Sequence, residues 1–257
     1  MIQHPYWVMF ATIVSKEITR FTRIWPQTLL PPAITMLLYF IIFGNLIGSR
    51  IGTMGGLDYM SFIVPGLIMM SVITNSYGNV SSSFFSNKFQ RSIEEMLVAP
   101  VPNWVILAGF VGGGMLRGLI VAGIVTLVSL FFTSLQVHSL AVMLLVVLLT
   151  AMVFSLAGLI NGVFARKFDD ISIIPTFVLT PLTYLGGVFF SITLLPSIWQ
   201  SLAMANPILY MVNAFRYGVH GVSDIPVLWA LALLSLLAGV FWFWALRLLS
   251  IGKGLKQ

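Results

Sequence analysis

The sequence has no cysteine among its 257 residues, so disulfides, thiolate metal sites and thiol nucleophiles are excluded. Charge is scarce as well. Only 8% of the residues are Asp, Glu, Lys or Arg, whereas a soluble domain carries roughly 25% to keep its surface wetted. Three histidines, His4, His138 and His220, stand too far apart to suggest a metal site. The phosphate-cradling pattern G-x-x-x-x-G-K-[ST] is missing, since Gly252–Lys253 has no glycine at the required upstream spacing. No Ser-His-Asp arrangement is present either. The chain is therefore not expected to be an enzyme, to bind a cofactor or metal, or to hydrolyse ATP by itself.

What fills the space is hydrocarbon. Hydrophobic residues make up 59% of the chain and the mean hydropathy is +1.02, which places it in a bilayer. A helix needs about 20 apolar residues to cross a core of about 30 Å. Six runs qualify, at roughly 28–47, 59–80, 105–133, 139–165, 171–193 and 226–248. The third contains Arg117. Snorkelling to the interface would leave Gly118–Leu135 as the span and 104–116 as a juxtamembrane approach.

The net charge of +6 raises nucleic acid as a partner. The basic residues sit in short loops between apolar runs, however, so topology explains them and nucleic acid is set aside. With six spans, one side holds Lys16, Arg20, Arg23, Lys88, Arg91, Arg166, Lys167, Arg247, Lys253 and Lys256. The other holds Arg50 and Arg216, with Arg117 near a membrane face. The positive-inside rule makes the first side, with both termini, cytoplasmic.

Residues 1–26 read as an amphipathic interfacial helix rather than a cleavable signal. Trp7, Phe10, Val14, Ile18, Phe21 and Trp25 recur on one face, and Lys16, Arg20 and Arg23 fall on another. The stripe suits lipid and also suits packing on the protein itself. Between the fifth and sixth runs, 194–224 is broken by Pro196 and Pro207 yet too apolar for an ordinary loop. Re-entrant outer helices satisfy its backbone, with Trp199, Tyr210 and Tyr217 at headgroup depth.

The only adjacent glutamates, Glu94 and Glu95, fall in the cytoplasmic loop over 81–103. Phe85, Phe89, Ile93 and Met96 or Leu97 recur there at helical spacing, Ser81–Ser83 offer caps, and Pro100 and Pro102 stop the helix. A short helix with an apolar face and an acidic face has a docking shape. The plainer reading is a solvated loop whose acids balance Lys88 and Arg91. Asp169 and Asp170 follow Arg166 and Lys167 and read as local ion pairs rather than a catalytic dyad.

Polar residues inside spans are costly and invite a role. Asn75, Tyr77, Asn79, Asn161, Thr180, Thr183 and Tyr184 fit either interhelical hydrogen bonds or an uncharged path for an amphipathic cargo. A gradient-driven carrier would want a membrane-embedded acid instead. Gly44–Gly48, Gly109–Gly113, Gly114–Gly118 and Gly158–Gly162 have the spacing of close helix packing, within the chain or across a dimer. Pro175, Pro181 and Gly186–Gly187 predict a bent fifth span.

The stretch "RSIEEMLVAPVP" resembles the first cytoplasmic loop of ABC-2-type permeases. The "LGGVFF", "LP", "NP" and "FR" landmarks over 185–216 fall in the order of that family's fifth span and outer re-entrant region. The segment "RFTRIWPQTLLPPAITMLLYFIIFGNLIGSRIG" is similar to the YadH-like inner-membrane permeases, near the nodulation-factor and daunorubicin exporter branch. The resemblance implies an all-α, six-span ABC-2 permease fold over 1–257, working as a homodimer in a bacterial inner membrane. It implies two copies of a separate cytosolic ABC ATPase, which would carry ATP and magnesium. Arg91, Glu94, Glu95, Met96, Leu97 and Pro100 would form the ATPase-coupling helix. Export of a lipid, glycolipid or hydrophobic drug would follow; a gradient-driven carrier and a non-transporting scaffold are the alternatives.

Overall fold

The computed structural model describes residues 5–252, so His4, Lys253 and Lys256 lie outside the described residues. Helix α1 (Pro5–Arg23) leads into α2 (Trp25–Ile51), which ends at a small hairpin. There Thr53 pairs with Asp58 and Met54 with Leu57. Gly55 and Gly56 close the turn with φ of +59° and +79°, values that glycine adopts without steric cost. Helix α3 (Tyr59–Phe89) starts at Asp58, whose carboxylate accepts the Met60 N–H at 3.1 Å. Then come α4 (Ser92–Val98), α5 (Asn103–Ser129) and α6 (Leu140–Phe164). A helical stretch over 168–184, α7, consists of Phe168–Ile174, a π-helical turn over Pro175–Leu179, and Thr180–Tyr184. Short α8 (Ser197–Met204) and α9 (Pro207–His220) precede α10 (Val227–Ile251).

Among the described residues five helices are long and apolar enough to cross a membrane: α2, α3, α5, α6 and α10. The expected fifth run, 171–193, is displaced. Its helix begins at Phe168, because Asp170 accepts the N–H groups of Arg166 and Lys167 at 2.8 and 3.0 Å. Asp170 is thus a helix cap rather than half of an ion pair. Helix ends at Tyr184, and Gly187 at φ +71° turns the chain back. The 17 helical residues reach about 25 Å at 1.5 Å per residue.

Helix α3 is the axle. It has the lowest mean hydropathy of the five, 1.4, yet 83% of its span is buried; α6 at 2.8 is 44% buried and α2 at 1.9 only 12%. This order inverts that of a water-soluble core. Lipid gives no hydrophobic gain for burying Leu or Ile, so small residues and polar bonds decide which helix takes the centre. Gly158 of α6 abuts the Tyr77 carbonyl of α3, Gly118 of α5 abuts Ser76, and Gly113 abuts Glu17 of α1. Gly44 and Gly48 meet Met60 and Tyr59. The four-residue glycine spacings therefore serve packing within the chain.

Packing of α1 within the chain uses a face other than the predicted stripe, and Arg117 does not interrupt its helix. The buried line of α1 is Ile13, Glu17 and Phe21, pressed on α5; of the predicted stripe only Phe21 is buried, while Trp7 and Trp25 stay exposed. Gly109 and Gly113 let α1 approach along that line, against Ile13 and Glu17. Helix α5 also runs unbroken through Arg117. That guanidinium turns inward to polar groups of α3 instead of snorkelling, so 104–116 is the first part of the helix.

Candidate functional site

The sequence from Phe85 to Leu97 does not make one helix capped at Ser81–Ser83. Helix α3 runs on to Phe89, with those serines inside it. The N–H groups of Gln90 and Arg91 close its last turn onto Ser86 and Lys88. Arg91 then takes φ +62°, the one left-handed non-glycine value among the described residues, and sets α4 off as a separate element. Glu94 and Glu95 occupy its first turn, where the helix dipole favours carboxylates.

Ile93 is buried, and Met96 and Leu97 pack half-buried on a cluster that includes Ile13, Ile106 and Phe110. Those side chains seat α4 on the bundle. The free surface of this segment is Glu95, Pro100 and Val98, the last 88% exposed; Phe89, at the end of α3, and Phe168 are exposed as well. Phe168 stands edge-on to Phe85 and Phe89 at 4.9 and 5.2 Å. Sequence reading missed Val98 and Phe168. The first lies one residue past the apolar spacing, and the second is supplied by a distant loop.

Lys88 does not balance the glutamates. Its Nζ donates to the carbonyls of Val163 and Ala165 at 2.6 and 2.7 Å, at the C-terminal end of α6. Both acceptors are in buried residues. Lys88→Met should leave them unpaired and cost about 2 kcal/mol, the scale of a hydrogen bond to a charged group. A thermal melt in detergent will check this, as will faster hydrogen exchange at 163–165 and in α4.

The polar residues predicted along a path divide into three places. Asn75 and Asn79 gather around Arg117, whose Nη1 donates to Asn79 Oδ1 at 3.4 Å and Nη2 to Asn75 Oδ1 at 3.3 Å. Tyr77 is buried, facing Asn161 of α6, and Asn161 donates to the Ile171 carbonyl at 3.2 Å. On α7, Thr183 bonds back to Leu179 at 2.7 Å and Thr180 to Pro175 at 2.9 Å. Tyr184 is exposed and stacks on Phe189 at 5.9 Å, with Tyr39 and Phe43 of α2 completing the aromatic group. Within one chain these residues do not form one continuous lining.

Glu17 escaped the sequence reading. It is fully buried, accepts from Ser83 Oγ at 2.5 Å, and pairs with Arg20 at 3.2 Å. The signal was an acid in line with Ile13 and Phe21 on an otherwise apolar face.

On the opposite end, Asn206 caps α9 by accepting the Ile208 N–H at 3.0 Å and donates to the Leu182 carbonyl at 2.6 Å. Arg216 is not a loop cation. It is 1% exposed, with Nη2 on the Gly187 carbonyl at 2.7 Å, Nε on the Phe62 carbonyl at 3.3 Å, and its guanidinium 3.7 Å from the Phe62 ring centre. These contacts hold the turn after α7 against α3.

Comparison with known proteins joins this arrangement to a family. The family described as "ABC-2 type transporter" matches residues 9–220. The chain belongs to the ABC-2 transporter family. This permease is 62% identical over 256 residues to the inner membrane transport permease YadH of Escherichia coli (strain K12), covering 100% of both chains. It is 25% identical over 181 residues to nodulation protein J of Rhizobium leguminosarum bv. trifolii, covering 70% of this chain and 69% of that one. Nodulation protein J of Neorhizobium galegae is 23% identical over 208 residues, covering 80% and 79%. In the permease, the "LGG", "NP" and "FR" landmarks are the Gly187 turn, the Asn206 cap and the buried Arg216.

Proposed function

We propose that the chain is the membrane subunit of an ATP-driven ABC-2 exporter in a bacterial inner membrane, with both termini cytoplasmic. It works as a homodimer, each copy seated on one separate ABC ATPase that holds ATP and magnesium. In that assembly α7 serves as a sixth, short span, and α8 and α9 form the re-entrant outer region. The cargo is an amphipathic molecule moved outward.

One observation carries the reading: α4 stands apart from α3 at Arg91, presents Glu95 and exposed Val98 on one surface, and is fixed to the bundle through Ile93. A helix held rigidly by its inner face passes on a push received at its outer one. Closure of an ATPase pair would thus move α4 and, through Lys88 and α6, the helices behind it. Glu17 does not favour a gradient-driven carrier, because both its oxygens are already engaged by Ser83 and Arg20. Glu94→Ala with Glu95→Ala should cut co-purification of the co-expressed ATPase by about ten-fold, the effect of about 1.4 kcal/mol, with normal membrane insertion. Unchanged co-purification would retire the assignment.

A further inference from the structure

Two guanidiniums meet over one neutral oxygen near the corner between α1 and α2. Arg20 Nη2 donates to Asn79 Oδ1 at 2.7 Å, and Arg117 Nη1 reaches the same oxygen at 3.4 Å. Arg117 also contacts Asn75 Oδ1 and the Thr28 carbonyl, both at 3.3 Å. The one carboxylate here is Glu17, which pairs with Arg20 and gives its other oxygen to Ser83. Among the described residues Arg117 has no carboxylate partner. The cluster therefore carries one uncompensated positive charge. Nε of Arg20, Nε of Arg117 and the Asn79 amide nitrogen are buried donors without an acceptor. Asn79 itself is fully buried. Half-buried cations with buried, unmet donor atoms are costly unless something supplies negative charge and acceptor oxygens.

The cluster is not sealed. The Arg20 side chain is 32% exposed, and Arg23, Trp25 and Gln27 stand exposed around the same corner. Arginine with tryptophan at the end of an apolar helix marks headgroup depth. We propose that Arg20, Arg117 and Asn79 form a binding site for the oxyanion head of an amphipathic molecule entering from the inner leaflet, its tails remaining against α2. The phosphate of an anionic lipid has this chemistry, and guanidinium forks match its oxygens. The inference rests on the transport reading above and narrows the cargo to an anionic amphiphile.

The full chain, without ATPase or nucleotide, is placed in nanodiscs of phosphatidylcholine containing a minority of phosphatidylglycerol. Lipid retained after release is measured by native mass spectrometry. Wild type should retain phosphatidylglycerol over phosphatidylcholine. Asn79→Asp gives both guanidiniums an internal carboxylate of the same shape. It should raise the melting temperature while reducing phosphatidylglycerol retention about ten-fold. Glu17→Gln, which frees Arg20, should raise retention.

Equal retention of the two lipids by wild type overturns the proposal. So does lower retention in Glu17→Gln, which would make the cluster only a brace. In neutral detergent, protection from heat by inorganic phosphate as strong as that by phosphatidylglycerol would give the site to a free ion and overturn the amphiphile. Because no ATPase is present, these outcomes are independent of the Glu94 and Glu95 co-purification that tests the transport reading.

Discussion

Arg216→Ala should destabilise this permease by about 3–5 kcal/mol. The side chain makes two charge-assisted hydrogen bonds, each worth roughly 1.5–3 kcal/mol, and a desolvated contact with an aromatic face worth about 2 kcal/mol. These share one guanidinium and do not add fully. The Gly187 and Phe62 carbonyls that lose their donor lie where little water can replace it. The melting temperature in detergent should fall by on the order of 10 °C, and hydrogen exchange should rise first at 185–190. Arg216→Lys should recover less than half of the loss, since one ammonium cannot reach both carbonyls and lie flat on Phe62. A melt within two degrees or so of wild type would show that the turn after α7 is held by something else.

The same residue shows where sequence stops informing. Apolar length made α2, α3, α5, α6 and α10 legible, because lipid imposes one rule on every spanning helix. The glycine spacings were legible for the same reason, as was the position of the glutamates on a short helix. Charge is where the reading failed. The positive-inside rule treats an arginine as a loop marker, so Arg216 was placed in an outer loop and Arg117 was expected to snorkel away from the protein. Arg216 is buried and Arg117 half-buried, each donating to carbonyl or amide oxygens that come from distant parts of the chain, such as Gly187 and Asn79. Glu17 was invisible because its partner Ser83 lies on another helix. The break at Arg91 follows from a backbone angle that no residue preference announces. The end of α7 at Tyr184 was hidden by the apolar run that continues past it.

Gly158→Ala tests the close contact on which the centre of the bundle depends. A Cβ at this position would strike the Tyr77 carbonyl oxygen and crowd the Ser81 nitrogen 3.2 Å away. Both are backbone atoms of α3, so no side chain can rotate to make room. The clash is relieved only by parting α3 and α6, which also disturbs the fit of Gly162 on the same helix pair and of Gly114 of α5 against both helices. One methyl group should therefore cost about 3 kcal/mol, at the upper end of overpacking effects, and Gly158→Leu should prevent recovery of folded protein from the membrane. Gly78→Ala supplies the contrast. It changes a helical glycine of α3 with nothing within 4 Å of a new Cβ, so it should stabilise by about 0.4–1 kcal/mol through the unfolded chain alone. Melting curves of the two alanine variants should move in opposite directions. Parallel shifts would mean that helix propensity, rather than the approach of α6 to the α3 backbone, sets the stability of this bundle.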